Sequence, residues 1–242
     1  SDLEAFFQGS PATEDPVARV GHPEAAEAVI WTLNFDATAI YAIHPVGPFA
    51  RDVYQLLRQF LKEQQPIGVE GGQGAERLAV PGLIAGKVRL FSGQVVPVIQ
   101  PDPRGLLNWT TGALTETVIE ALSGIAGVNP RAEIANFLDR VYYEFRNLGI
   151  TSQERALNYA GTVALLFGDS IQSELSQGYQ LDTIVVQRSA VCRPESDCWD
   201  VRLTFYNPRK QLEEARHMHM IPIDVSDVIP VALADRRIFF VR

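Results

Sequence analysis

Apolar and polar positions change period several times along the chain, and each change predicts an element. AVIWTLN (Ala28–Asn34) and IYAIH (Ile40–His44) are short apolar-rich runs about a turn at Phe35–Ala39, and they predict two strands stopped by Pro45, Gly47 and Pro48. From Phe49 to Gln64 the spacing becomes helical. Phe49, Val53, Leu56, Leu57, Phe60 and Leu61 fall on one stripe, with Arg51, Asp52, Arg58 and Lys62 off it. Pro48 suits the first turn, where a missing N–H costs nothing. Lys87–Phe91 and Gln94–Ile99 about Ser92-Gly93 predict a hairpin, its second strand placed at a sheet edge by Pro97.

Helical spacing governs the middle of the chain. Leu114–Leu122 predicts a short helix. Asn129 and Pro130 predict the start of another, with the stripe Ile134, Phe137, Leu138, Val141, Tyr142, Phe145 and Leu148, ended by Gly149. Thr151 and Glu154 form a capping box for a third, running through Leu157, Ala160, Ala164 and Leu165 towards Leu175. From Leu181 the period returns to two: LDTIVVQRSAVC, the loop RPESD and CWDVRLTFY predict a long hairpin, and HMHMIPIDV, IPVAL and IFFV further strands. Strands and a helix, then helices, then strands favour α+β over an alternating parallel sheet. The expected architecture is a single α+β domain over residues 25–242, antiparallel hairpins with a central group of helices. Residues 1–24 are set apart as a tag remnant or flexible lead-in, since LEAFFQGS ends like a protease-cleavable tag; Ser1 in place of Met suggests a fragment of a larger protein.

Composition narrows the function classes. The 242 residues carry a net charge of −8 and a pI near 5.0, with basic residues scattered, so neither nucleic acid nor an anionic membrane is an expected partner. No apolar run approaches the roughly 20 residues of a membrane span. Two cysteines do not make a secreted disulfide framework, which favours a cytoplasmic location.

Little of the sequence looks chemical. No G-x-S-x-G motif marks a nucleophile. GVEGGQG (Gly68–Gly74) lacks the Lys-Ser/Thr of a phosphate loop and reads as punctuation. His22 and His44 each precede proline and read as turn or strand-end residues. Glu116, Glu120, Asp139 and Glu144 read as an ordinary charged helix surface; Tyr142 and Tyr143 beside Arg140 and Arg146 suggest core for the first tyrosine and solvent for the second. The exception is Cys192 and Cys198 followed by His217-x-His219. Alternation puts both histidines on one strand face, and four soft or borderline ligands in one β-rich segment fit zinc. The cysteines flank a loop, so a disulfide or two buried thiols fits equally.

The block VCRPESDCWDVRLTFYNPRKQLEEAR with DVSDVIPV (Asp224–Val231) resembles the C-terminal domain of unknown function of the subtilisin-like protease and macrocyclase proteins of cyanobactin, patellamide-type pathways. WTLNFDATAIYAIHPVGPFA (Trp31–Ala50), VPGLIAGKVRLFSGQVVPVI (Val80–Ile99) and RVYYEFRNLGITSQERALNYA (Arg140–Ala160) fit the same family, so the resemblance covers nearly everything after about residue 25. It supplies no catalytic residues, because the Ser-His-Asp machinery of those proteins belongs to a separate domain. What it implies is a non-catalytic accessory domain that binds a precursor or cyclic peptide or the protease/macrocyclase domain, or that dimerises. The alternative is a metal-dependent enzyme using the Cys/His cluster. A homodimer is expected through the apolar edges Gln94–Ile99 and Arg237–Val241.

Overall fold

In the computed structural model the described residues are 23–69, 71–110, 140, 143, 146–166, 173–175, 177–210 and 215–241. They are mostly strand with a smaller share of helix, a mixed α+β composition. The chain divides into two compact units, residues 1–110 and 111–242, taken here one at a time.

The first unit opens with a 3₁₀ turn, Pro23–Ala28, whose Ala26 carbonyl accepts the Trp31 indole N–H at 2.8 Å. Strands β1 (Trp31–Phe35) and β2 (Thr38–Ile43) pair antiparallel, as expected. Their turn places Asp36 at φ 51°, a left-handed conformation that aspartate tolerates better than most side chains. Helix α1 (Ala50–Glu63) follows, with Asp52 in its first turn and Lys62 in its last, each complementing the helix dipole. It buries Val53, Tyr54, Leu57 and Phe60. Phe49 precedes the helix and is exposed, and Tyr54 takes the place expected of it. Val53, Tyr54 and Leu57 pack with Ala26, Tyr41, Ile43 and Ile99 into one core cluster. Burying each large apolar side chain contributes about 1.5–3 kcal/mol.

The expected hairpin forms from β4 (Gly82–Arg89) and β5 (Val95–Pro101), with Gly93 at φ 86° in the turn. The sheet order is β1-β2-β5-β4, so β5 lies inside the sheet and the expectation of an edge strand fails. The reason is local. The parallel ladder from β2 to β5 is confined to Ala42↔Val98 and Ile43↔Ile99, and the missing N–H of Pro97 falls one residue before it. Val98 and Ile99 are thus paired on both sides within the chain, whereas Gln94 and Val95 are exposed. A separate two-stranded ribbon joins β3 (Arg77–Ala79) to β6 (Leu107–Trp109).

In the second unit, helix α2 (Ser152–Leu166) starts as the capping box predicts. Thr151 Oγ1 accepts from Glu154 N at 3.2 Å, and a Glu154 carboxylate oxygen accepts from Thr151 N at 3.1 Å. The helix predicted at Leu114–Leu122 lies outside the described residues. So does most of the one predicted between Asn129 and Leu148, of which Arg140 and Tyr143 are described and helical. Strands β7 (Gln180–Arg188), β8 (Cys198–Tyr206) and β9 (Arg216–Asp224) form an antiparallel sheet. Both β10 (Val231–Ala232) and β11 (Arg237–Val241) pair with β9. Alternation along β8 buries Val201, Leu203 and Phe205 on one face, and α2 buries Ala156 and Ala160. Arg155 of α2 ties the chain after β9 by donating to the carbonyls of Val225, Asp227 and Val228.

Candidate functional site

Register decides what becomes of the four residues expected to share a metal. On β8, Cys198 stands opposite Asp224, whereas Leu203 stands opposite His219 and Phe205 opposite His217. Five and seven residues of strand at about 3.3 Å each put the histidines roughly 17 and 23 Å along the sheet from Cys198. The four side chains do not converge, and the four-ligand cluster is not formed. Among the described residues no group of three or more His, Cys, Asp or Glu side chains is arranged to hold a metal ion.

At the cysteine end, Cys192 and Cys198 are joined as a disulfide with their Cα atoms 5.7 Å apart. Their relation is not the direct cross-strand pairing that strands meeting at a five-residue loop would give. β7 ends at Arg188, the connection runs from Ser189 to Asp197, and Cys192 reaches back from within it. Neighbouring bonds fix the same corner. Val225 N donates to Asp197 O at 2.9 Å, Asp197 N to Ser226 Oγ at 2.8 Å, and the Trp199 indole to Asp197 Oδ1 at 2.9 Å. The Ser226 hydroxyl and N–H donate to Asp224, holding its carboxyl below the usual range.

At the histidine end lies a cluster that sequence reasoning missed. Glu174, on a helical turn before β7, presents its carboxylate to both rings of the H-x-H pair. His217 Nδ1 is 2.8 Å from Glu174 Oε2, and His219 Nε2 is 3.2 Å from Oε1. Glu174 and His219 are buried, while the His217 side chain stays 19 % exposed. The walls are aromatic. Tyr179 stacks on His217 with centroids 4.5 Å apart, Phe240 of β11 meets that ring edge-on at 4.9 Å, and Phe205 meets His219 at 5.2 Å. Burial pushes the Glu174 carboxyl up, but the hydrogen bonds from His219 and then His217 outweigh it, and the group is held below its ordinary value. The carboxylate, held anionic, can accept from one ring nitrogen of each histidine. The signal in the sequence was the alternation of H-x-H, which places both rings on one face. Nothing in the spacing pointed to Glu174, because the contact spans 43 and 45 positions of chain.

Other candidates resolve more simply. The glycine-rich turn folds back on the end of α1: Gln73 N and Ala75 N donate to Glu63 O, and Gly74 N to Gln65 O, so these N–H groups are used within the chain. His44 follows β2 and is exposed, its N–H donating to Ile99 O at 2.9 Å. Tyr143 is exposed, as expected, and Arg140 donates to the carbonyls of Leu181 and Asp182 on β7. His22, Tyr142, Glu116, Glu120, Asp139 and Glu144 lie outside the described residues.

Fold and site together define a β-rich α+β protein whose ionisable cluster is enclosed by aromatic rings and partnered within itself. No helix among the described residues is long and apolar enough to cross a membrane. The family described as PatG C-terminal matches residues 127–239. A solved structure described as the PatG domain of unknown function is similar over 90% of this chain and 83% of its own, with 39% identity and a TM-score of 0.81. The chain belongs to the PatG C-terminal family, as its sequence blocks implied. Comparison with curated proteins gives no match.

Proposed function

We propose that this chain is a non-catalytic accessory domain of a patellamide-type pathway, and that it docks an extended peptide segment on the open side of β11. The observation that carries the reading is the contrast between the two margins of the second unit's sheet. At β7, Arg140 occupies the carbonyls of Leu181 and Asp182, and Gln153 that of Val186. At β11 the side chains of Ile238, Phe239 and Phe240 are apolar and exposed, Phe240 at 72 %. Capping with polar side chains is a common means of keeping a strand margin unpaired, and an apolar margin without it invites a further strand. The occupant is a precursor or cyclic peptide, a segment of the protease/macrocyclase protein, or β11 of a second copy.

Calorimetry with precursor and cyclic peptides, alongside light scattering over a range of concentrations, tests the reading. Peptide binding that is lost in Phe239→Lys/Phe240→Lys, or a particle of twice the 26.8 kDa chain mass that the same change splits, supports it. A monomer that binds no peptide and converts a pathway intermediate by itself overturns it.

A further inference from the structure

The open margin of the first unit's sheet differs from the rest of the chain in exposure and in charge. β4 ends the order β1-β2-β5-β4 and pairs with β5 alone. A strand covered on one face alternates buried and exposed positions. Leu83 to Lys87 are instead exposed without interruption, Leu83 at 61 % and Ile84 at 56 %. A bulge sets which of them share a face. Ile84 stands opposite Ile99, Lys87 opposite Pro97 and Arg89 opposite Val95, alternate positions of β5. Paired residues point the same way, so the extra residue between Ile84 and Gly86 brings Ile84, Lys87 and Arg89 onto one face of the ribbon. The charge there is all of one sign. Residues 77–101 contain Arg77, Lys87 and Arg89 and no aspartate or glutamate, in a chain of net charge −8. Elsewhere cations find carboxylates: Arg104 pairs with Asp102, Arg188 with Asp197 and Arg216 with Asp182. Among the described residues, Lys87 and Arg89 form no ion pair, and both are exposed.

We propose that the open margin of β4 docks an extended acidic segment of a partner protein, which pairs with the strand and sets an apolar side chain beside Ile84 and carboxylates beside Lys87 and Arg89. Strand addition supplies main-chain hydrogen bonds that any sequence can make, and the side chains at alternate positions select which sequence enters. Lysine and a bulge on an edge strand ordinarily keep it from pairing with its like. Here they exclude one class of partner only. Two copies joined through β4 would line Lys87 and Arg89 of both chains along one ribbon with no anion between them, and like charges facing across strands are destabilising. An acidic segment reverses that sign at both positions and covers the apolar surface of Leu83 and Ile84. The repulsive element and the attractive one are thus the same two side chains. β4 and β11 belong to different units, and what one takes does not depend on what the other holds.

Amide NMR of the whole chain tests this with two probes, the acetylated and amidated peptide Val-Thr-Glu-Thr-Glu-Thr and the same peptide with lysine for both glutamates. At millimolar concentration the acidic probe should shift the amides of Gly82–Arg89 and leave those of Arg237–Val241 unmoved; the lysine probe should shift neither. Lys87→Glu/Arg89→Glu should weaken the acidic probe about tenfold, the loss expected from removing two exposed ion pairs and adding repulsion, and should admit the lysine probe instead. That exchange of preference is a readout a misfolded variant does not give. Should the variant not fold, the unaltered chain decides, because about 0.5 M salt should screen the pairing and weaken the acidic probe severalfold. Equal binding of both probes, no shift in Gly82–Arg89, or shifts at Arg237–Val241 in their place would overturn the proposal. So would self-association through β4 as protein concentration rises, or binding to vesicles of anionic lipid that Phe91→Ser abolishes while the acidic probe leaves β4 unmoved.

Discussion

The two ends of the β8–β9 pair are held by different physics. One end is tied covalently, with Cys192 bonded to Cys198 beside a corner fastened by Asp197, Asp224 and Ser226. The other is held by one carboxylate shared between two imidazoles under aromatic rings. A covalent tie acts mainly on the unfolded chain, by restricting its entropy, and ignores pH. A buried polar cluster acts on the folded state, depends on every partner being present, and responds to protons. The sheet thus has one redox-sensitive end and one proton-sensitive end, joined by strands whose buried face is apolar.

The largest effect should come from breaking the polar end. Glu174→Ala leaves two ring donors without an acceptor, one of them fully buried, and should destabilise the second unit by about 4 kcal/mol in chemical denaturation. Reducing the disulfide should cost about 2 kcal/mol, since the loop it closes spans a separation of six residues, and Cys192→Ser/Cys198→Ser should match it at every pH. Acid sharpens the contrast. The Glu174 carboxyl is held below its ordinary value, so the folded chain binds fewer protons there than the unfolded chain. The stability it contributes is present above the ordinary glutamate value of about 4.3 and is lost as pH falls through the lowered one. An acid titration of stability should show that loss in the unaltered and in the reduced protein, and lack it in Glu174→Ala. Away from both ends, Thr151→Ala removes one side of the capping box of α2 and should cost about 1 kcal/mol. Tyr143→Ala, at an exposed position, should stay within about 0.5 kcal/mol of the parent.

Local features of this fold were legible. Thr151 with Glu154 marked the start of α2 because a capping box is a contact between residues three apart. The alternation in CWDVRLTFY marked β8 because burial of one face repeats every second residue. Register and order were not. Pro97 reads as an edge residue until the length of the β2–β5 ladder is known, and that length is set by the far strand. The cysteines and histidines looked like one site because both pairs lie in one β-rich stretch. In an antiparallel hairpin, nearness in sequence becomes nearness in space only close to the turn, and His217 and His219 are at the far end from Asp224. Glu174 was illegible for the same reason: its partners arrive through the sheet.

The separation of the two ends is tested most directly by following the His217 and His219 ring resonances while the disulfide is reduced and zinc is then added. The account predicts that reduction and stoichiometric zinc leave both rings unchanged, with the perturbations confined to residues around Cys192 and Cys198. Coupled shifts of both histidines on zinc binding to the reduced protein, abolished by Cys198→Ser, would show that the four side chains meet and would contradict it.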